Sequence, residues 1–127
     1  MTRSRRFALA LIASISTLTT GMAYAQAGYP SKPIKVVVPF PAGSTTDIIA
    51  RAIADKMSQS MGQPLVIDNR GGASGTIGQQ AVATSAADGY TIMVHSSSHT
   101  VSPSTFAKLP FDTLNDFVGV TPISSTP

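Results

Sequence analysis

The sequence predicts an α/β fold, a parallel sheet flanked by helices, on three observations. Val36, Val37 and Val38 lie in an apolar run of the kind a strand shows when both of its faces are covered. Residues 39–43 then end that run with proline and glycine but without the Asn-Gly or Asp-Gly chemistry of a hairpin, so the next element must be a crossover helix. Beyond it, strand-like and helix-like stretches alternate across short connections, the pattern of right-handed βαβ units.

Taken in order, residues 26–33 read as a linker kept extended by Pro30 and Pro33. The first strand begins at Ile34. Ser44 is placed to cap the following helix, with Asp47 as its capping-box partner, which leaves free backbone N–H groups and the positive end of the helix dipole over the turn. That helix is expected over about residues 45–60. Ile48, Ile49, Ala52, Ile53 and Met57 fall at helical spacing and are expected on the sheet, with Arg51, Asp55 and Gln59 facing away. Gly62 and Pro64 stop it, and Leu65, Val66 and Ile67 form a second strand. A glycine-rich turn at residues 68–76 leads into a helix expected over 76–86, whose Gly78, Ala81 and Ala83 allow close approach to the sheet. Residues 87–90 turn the chain into a third strand at 91–94, and residues 117–120 read as a further strand with no closing helix after it. The expectation is therefore the N-terminal portion of a longer protein, the alternative being a small domain with a frayed tail.

Residues 1–25 read as a signal peptide. Arg3, Arg5 and Arg6 form a basic start, residues 7–18 an apolar core too short to span a bilayer, and Ala23-Tyr24-Ala25 a small-x-small cleavage site, with cleavage after Ala27 as the alternative. The arginine pair also suggests a twin-arginine route, although Phe7 follows it directly. Three of the nine basic residues lie in this leader and all six aspartates lie beyond it, so the mature chain is formally neutral. No basic stripe remains to track phosphates, and nucleic acid is set aside as a partner. The absence of cysteine excludes disulfides and thiolate metal sites.

In open parallel sheets ligands bind beyond the carboxyl ends of the strands, where the turns at residues 40–47, 71–76 and 95–100 are expected to meet. The second of these is neither G-x-G-x-x-G nor a P-loop, so its glycines speak for tight packing and backbone donation and no nucleotide cofactor is implied. His95 and His99 flank three serines where no helix is expected. They lack a third ligand nearby, so no metal site is expected and His99 reads as a rim residue. Ser96, Ser97 or Ser98 with His99 leave an exported α/β hydrolase open as an alternative, without a Gly-x-Ser-x-Gly elbow to support it. Asp47 has two readings, helix cap or ligand contact. Arg70 is expected solvent-exposed or paired with an aspartate, and Tyr90 near a strand start, far from the binding edge.

Several short motifs carry a family resemblance: Tyr29-Pro-Ser-Lys-Pro-Ile34, Val38-Pro-Phe-Pro-Ala-Gly43 with Asp47, Gly62-Gln-Pro64, Asn69-Arg70 with Gly75 and Ile77-Gly78, Asp88-Gly-Tyr90, and Lys108-Leu-Pro-Phe-Asp112 with Asp116-Phe117. In this order and spacing the chain resembles the periplasmic substrate-binding receptors of tripartite tricarboxylate transporters, the Bug receptors. The resemblance implies a two-lobed, type II-like periplasmic-binding-protein fold, with residues 26–120 as an incomplete first lobe and 121–127 as the start of a crossover toward a second. It implies a non-enzymatic receptor that captures a small organic carboxylate in the periplasm and delivers it to membrane transporter subunits or a sensor. Carried over by position, Phe40, Ala42, Gly43, Ser44, Thr45 and Asp47 are the expected ligand-binding residues, with Ser74, Gly75, Ser97 and His99 at the rim. The sequence departs from the family pattern at Ser44, where a second glycine is common, and at Ser102-Pro103, where asparagine precedes the proline. A non-functional truncated remnant of such a receptor is a further alternative.

Overall fold

A computed structural model describes residues 28–125; the signal-peptide reading of residues 1–25 lies outside them. Among the described residues three strands, β1 (Ile34–Val38), β2 (Leu65–Asn69) and β3 (Thr91–Met93), alternate with three α-helices, α1 (Thr45–Met61), α2 (Thr76–Ala83) and α3 (Ser98–Thr105), with a short 3-10 turn at Ala73–Gly75 before α2. The sheet has the order β2-β1-β3 and both pairings are parallel. Central β1 is therefore the strand covered on both sides, and Ile34, Val36, Val37 and Val38 are all buried. The chain steps from β1 to one neighbour and then across to the other, so right-handed crossovers put α1 and α2 on opposite faces.

Each connection follows from local chemistry. Ser44 caps α1 by accepting the Asp47 amide at 3.3 Å, and Gly62 ends the helix at φ 67°, a left-handed conformation suited to glycine. The Ser58 hydroxyl bonds back to the Ala54 carbonyl at 2.7 Å and accepts the Leu65 amide at 2.9 Å, tying the end of α1 to the start of β2. Gly78 lets α2 press on the end of β1. A Cβ built there would lie 2.6 Å from Pro39 Cβ and 2.8 Å from the Arg70 carbonyl oxygen.

The face of α1 departs from the expected one. Asp47, Ala50 and Ala54 are its buried residues, whereas Ile48 is 60% exposed and Ala52 is exposed. The buried Asp47 carboxylate sets the phase, because its bonds to Asn69 of β2 and to the preceding loop turn position 47 inward and position 48 outward. Helix α2 stops at Ala83, short of residue 86, where the hydroxyls of Thr84 and Ser85 bond back to the carbonyls of Gln80 and Val82.

Helix α3 is a second departure, since it holds His99 where none was expected. Its stretch has no apolar period to betray it; Thr100, Ser102 and Thr105 each bond a carbonyl three or four residues back. Residues 117–120 form no strand. Val118 is 91% exposed and finds no ladder partner among the described residues. At the opposite end of the sheet Tyr90 packs on Tyr29, with ring centroids 5.0 Å apart, and its hydroxyl accepts the Ser31 amide, well away from the carboxyl edge of the strands.

Candidate functional site

The loops after β1, β2 and β3 meet at that carboxyl edge. Asp47 organises the first. Buried to 2% exposure, its carboxylate accepts from the Gly43 amide (2.8 Å), Arg51 Nε (3.0 Å) and Asn69 Nδ2 (2.9 Å). The Arg51 bond, then the Gly43 amide and then Asn69 hold its pKa down to about 2 against the opposing effect of burial. Arg51 also reaches Asn69 Oδ1 at 3.0 Å, and Asn69 Nδ2 reaches the Phe40 carbonyl at 3.2 Å, so the end of β2 is stitched to the loop after β1. Asp47 thus shapes the loop from beneath, but not as the expected capping-box partner: its carboxylate takes the Gly43 amide, while the Ser44 amide goes to the Pro41 carbonyl.

The backbone donors left over point outward. Thr45 and Thr46 are the first two helical residues of α1, and helix geometry provides their amides with no intrahelical acceptor. Gly43 turns at φ 83° with open space where a Cβ would stand, and Ala42, Gly43 and Thr45 are exposed beside a half-buried Ser44.

The second loop makes a similar cradle by a different route. Gly72, Ala73, Ser74 and Gly75 take φ values of 125°, 45°, 56° and 91°, four positive values in succession. Such values in Ala73 and Ser74, which carry a Cβ, store strain of about 1–3 kcal/mol each, and runs of this kind turn successive amides toward one concave point. The Gly75 and Thr76 amides are spent on the carbonyls of Gly72 and Ala73. Gly75 is buried, and a Cβ there would approach His95 Nε2 to 3.2 Å.

From the third loop, an aromatic row runs Phe40, His95, His99, Phe117, Phe111, with successive centroids 5.1, 5.4, 4.9 and 5.6 Å apart. Fully buried Gln79 bridges both imidazoles, 3.0 Å from His95 Nε2 and 3.1 Å from His99 Nδ1. Burial lowers the pKa of each histidine; the Ser96 carbonyl at His95 and the Thr113 carbonyl at His99 oppose it. Among the described residues neither imidazole bonds a serine hydroxyl or a carboxylate, and no three potential metal ligands cluster. The hydrolase alternative thus lacks its proton relay.

The structure brings Phe40 and His99 into one row through His95, and sets Gly75 against His95. It places Ala42, Gly43, Ser44, Thr45, Ser74 and Ser97 on the loops of the same edge. Sequence reasoning missed Thr46 and Ala73 as amide donors, and Asn69, Gln79 and His95 as the polar groups that position the loops. Gln79 left one usable trace, a long polar residue next to Gly78, where the helix comes closest to the sheet. Arg70 pairs with Asp68 at 2.8 Å.

With this geometry in view, comparison with known proteins is decisive. Residues 49–127 match the model of the tripartite tricarboxylate transporter family receptor. The chain belongs to that family. Protein BugT of Bordetella pertussis is 46% identical over 101 residues, which cover 78% of this chain and 31% of BugT. Among solved structures, MatC from Rhodopseudomonas palustris with bound malate is 39% identical at a TM-score of 0.65, covering 70% of this chain and 31% of MatC. An adipate-bound structure from R. palustris is 49% identical at a TM-score of 0.50, covering 51% of this chain and 22% of that one. This chain spans about a third of the length of the curated relatives it matches. The parallel α/β architecture of the family is the one described above, and its characterised neighbours are binding proteins.

Proposed function

We propose that this chain supplies the first-lobe grip of a periplasmic solute receptor that captures a small organic carboxylate for a tripartite tricarboxylate-type transporter. The observation that carries the reading is the pair of amide cradles, Thr45–Thr46 at the start of α1 and Ala73–Ser74 in the left-handed turn. A helix start carries about half a positive charge, enough to hold an anion without any lysine or arginine, which suits a mature chain of zero formal charge. Ser44 and Ser97 add hydroxyls able to donate to the same anion, Phe40 and Gly43 bound it, and Gly75 admits the loop close to His95. Capture is non-covalent and needs no cofactor. The malate and adipate held by the two relatives support the ligand class.

In this reading residues 1–25 direct export and are removed, residues 26–120 make most of one lobe, and residues 121–127 lead toward a second lobe that closes over the ligand. Delivery to membrane transporter subunits or a sensor follows closure. Calorimetric titration of the full chain with malate and adipate, beside their uncharged dimethyl esters, tests the proposal. Binding of the acids with rejection of the esters is expected; equal binding of acids and esters, or binding of neither, contradicts it.

A further inference from the structure

The bridge between the two histidines has a polarity that follows from elementary donor and acceptor chemistry. The Ser96 carbonyl can only accept, and His95 Nδ1 lies 2.9 Å from it, so Nδ1 of His95 carries a hydrogen. His95 Nε2 is then the lone-pair nitrogen of a neutral ring, and Gln79 must meet it with its amide nitrogen. The Gln79 oxygen consequently faces His99, whose Nδ1 must donate to it. One ring nitrogen is left that is neither protonated nor opposed by a donor: Nε2 of His99.

We propose that Gln79 fixes the two imidazoles in unlike roles, His95 held neutral and His99 the residue that takes up a proton on Nε2, and that the resulting cation strengthens carboxylate capture at the adjoining edge as pH falls. The second half rests on the receptor reading above. A proton reaching His99 Nε2 breaks no side-chain hydrogen bond among the described residues, whereas a proton on His95 Nε2 meets the Gln79 N–H head-on and requires the buried amide to turn over.

Among the described residues no other charge acts on the two imidazoles at close range. Helix α2 has no ionisable side chain, and α3 has only His99. The Asp47 carboxylate, across the first loop, is committed to Arg51, Gly43 and Asn69, and Arg70 at the end of β2 to Asp68. The segment after α3 carries Lys108, Asp112 and Asp116, and both aspartates accept amides of their own turn. The first carboxyl group of an organic acid stays ionised below the ordinary imidazole range, so acidification adds a cation while that anion is kept, although burial brings the range of His99 down toward it. One added charge beside a carboxylate in a partly solvated cleft is worth about 1 kcal/mol, roughly a three- to tenfold gain in affinity.

The test is a pair of titrations on the full chain between pH 8 and pH 5. Imidazole nitrogen NMR should show His99 gaining its proton on Nε2 while His95 keeps a hydrogen on Nδ1 alone. Gln79→Met should release His95 to titrate. Gln79→Glu, which accepts from both rings and keeps the polar bridge, should raise the pKa of both. The assignment is overturned if His95 titrates first, or if the Gln79→Glu and Gln79→Met spectra follow the wild-type curves. Malate affinity should rise on acidification in the wild type and stay flat in His99→Gln; a rise that survives in His99→Gln overturns the coupling. Absence of malate and adipate binding at every pH would remove the receptor reading and the coupling together, with the NMR assignment judged separately.

Discussion

Gly78→Ala probes the contact that closes the edge of the sheet. The new methyl would sit 2.6 Å from Pro39 Cβ, 2.8 Å from the Arg70 carbonyl oxygen and 3.0 Å from Pro39 Cα. Carbon atoms at rest stand about 3.5–4.0 Å apart, so α2 must withdraw by about 1 Å, and the obstructing atoms belong to a proline ring and a main chain that cannot rotate away. Overpacking of this kind costs up to about 3 kcal/mol, while replacing a helical glycine with alanine returns about 1 kcal/mol. The net expectation is a loss of about 2 kcal/mol, a fall in Tm of about 8–16 °C for a domain of this size. Urea denaturation of the full chain measures it, with Gly119→Ala, whose Cβ meets nothing within 4 Å, as the control. The same withdrawal pulls Gln79 from His95, so the His95 ring resonances should shift as well. A Gly78→Ala chain as stable as the parent or more so, with its His95 signals unmoved, would refute the close approach of α2.

Further predictions follow from the same geometry. Asp47 has its folded pKa at about 2 against an ordinary 3.8, so the unfolded chain binds its proton first. The stability it confers is fully present above about pH 4 and is lost as pH falls toward 2; Asp47→Asn should be less stable at neutral pH and should flatten that acid limb in denaturation curves recorded at a series of pH values. Gly43→Val should leave far-ultraviolet dichroism intact, since a Cβ there meets nothing, yet weaken malate binding at least tenfold, because a branched residue resists φ 83° and so shifts the loop that leads into Thr45 and Thr46. Tyr90→Phe removes the hydroxyl that accepts the Ser31 amide at the opposite end of the sheet and should change malate affinity by less than about twofold.

Much of the architecture was legible because it rests on strong local signals. The valine run of β1, the Ser44 cap and the glycine stops at residues 43 and 62 each have one physical reading, and together they order the first βαβ unit. The misread face of α1 shows where such signals end. Hydrophobic spacing favoured Ile48, but the phase of the helix is set by a buried aspartate whose partners, Asn69 and Gly43, come from other elements. Helix α3 was hidden for the opposite reason, being built from serines and threonines whose hydroxyls bond its own carbonyls. The expected strand at residues 117–120 has suitable residues but no neighbouring strand to pair with among those described. At the site, the loops could be named from turn chemistry, whereas the Gln79 bridge required two elements to be brought together, and in the sequence Gln79, its place next to Gly78 aside, is indistinguishable from exposed Gln80 beside it.

The central claim is that a carboxylate is held by loop amides at the carboxyl edge of the sheet. Amide chemical-shift mapping of the isotopically labelled chain during a malate titration tests it most directly. The largest saturable shifts should fall on Thr45, Thr46, Ala73 and Ser74, with Ser31, Lys32 and Tyr90 unmoved. Shifts concentrated at the Tyr29–Tyr90 end, or none at all at the two cradles, would contradict it.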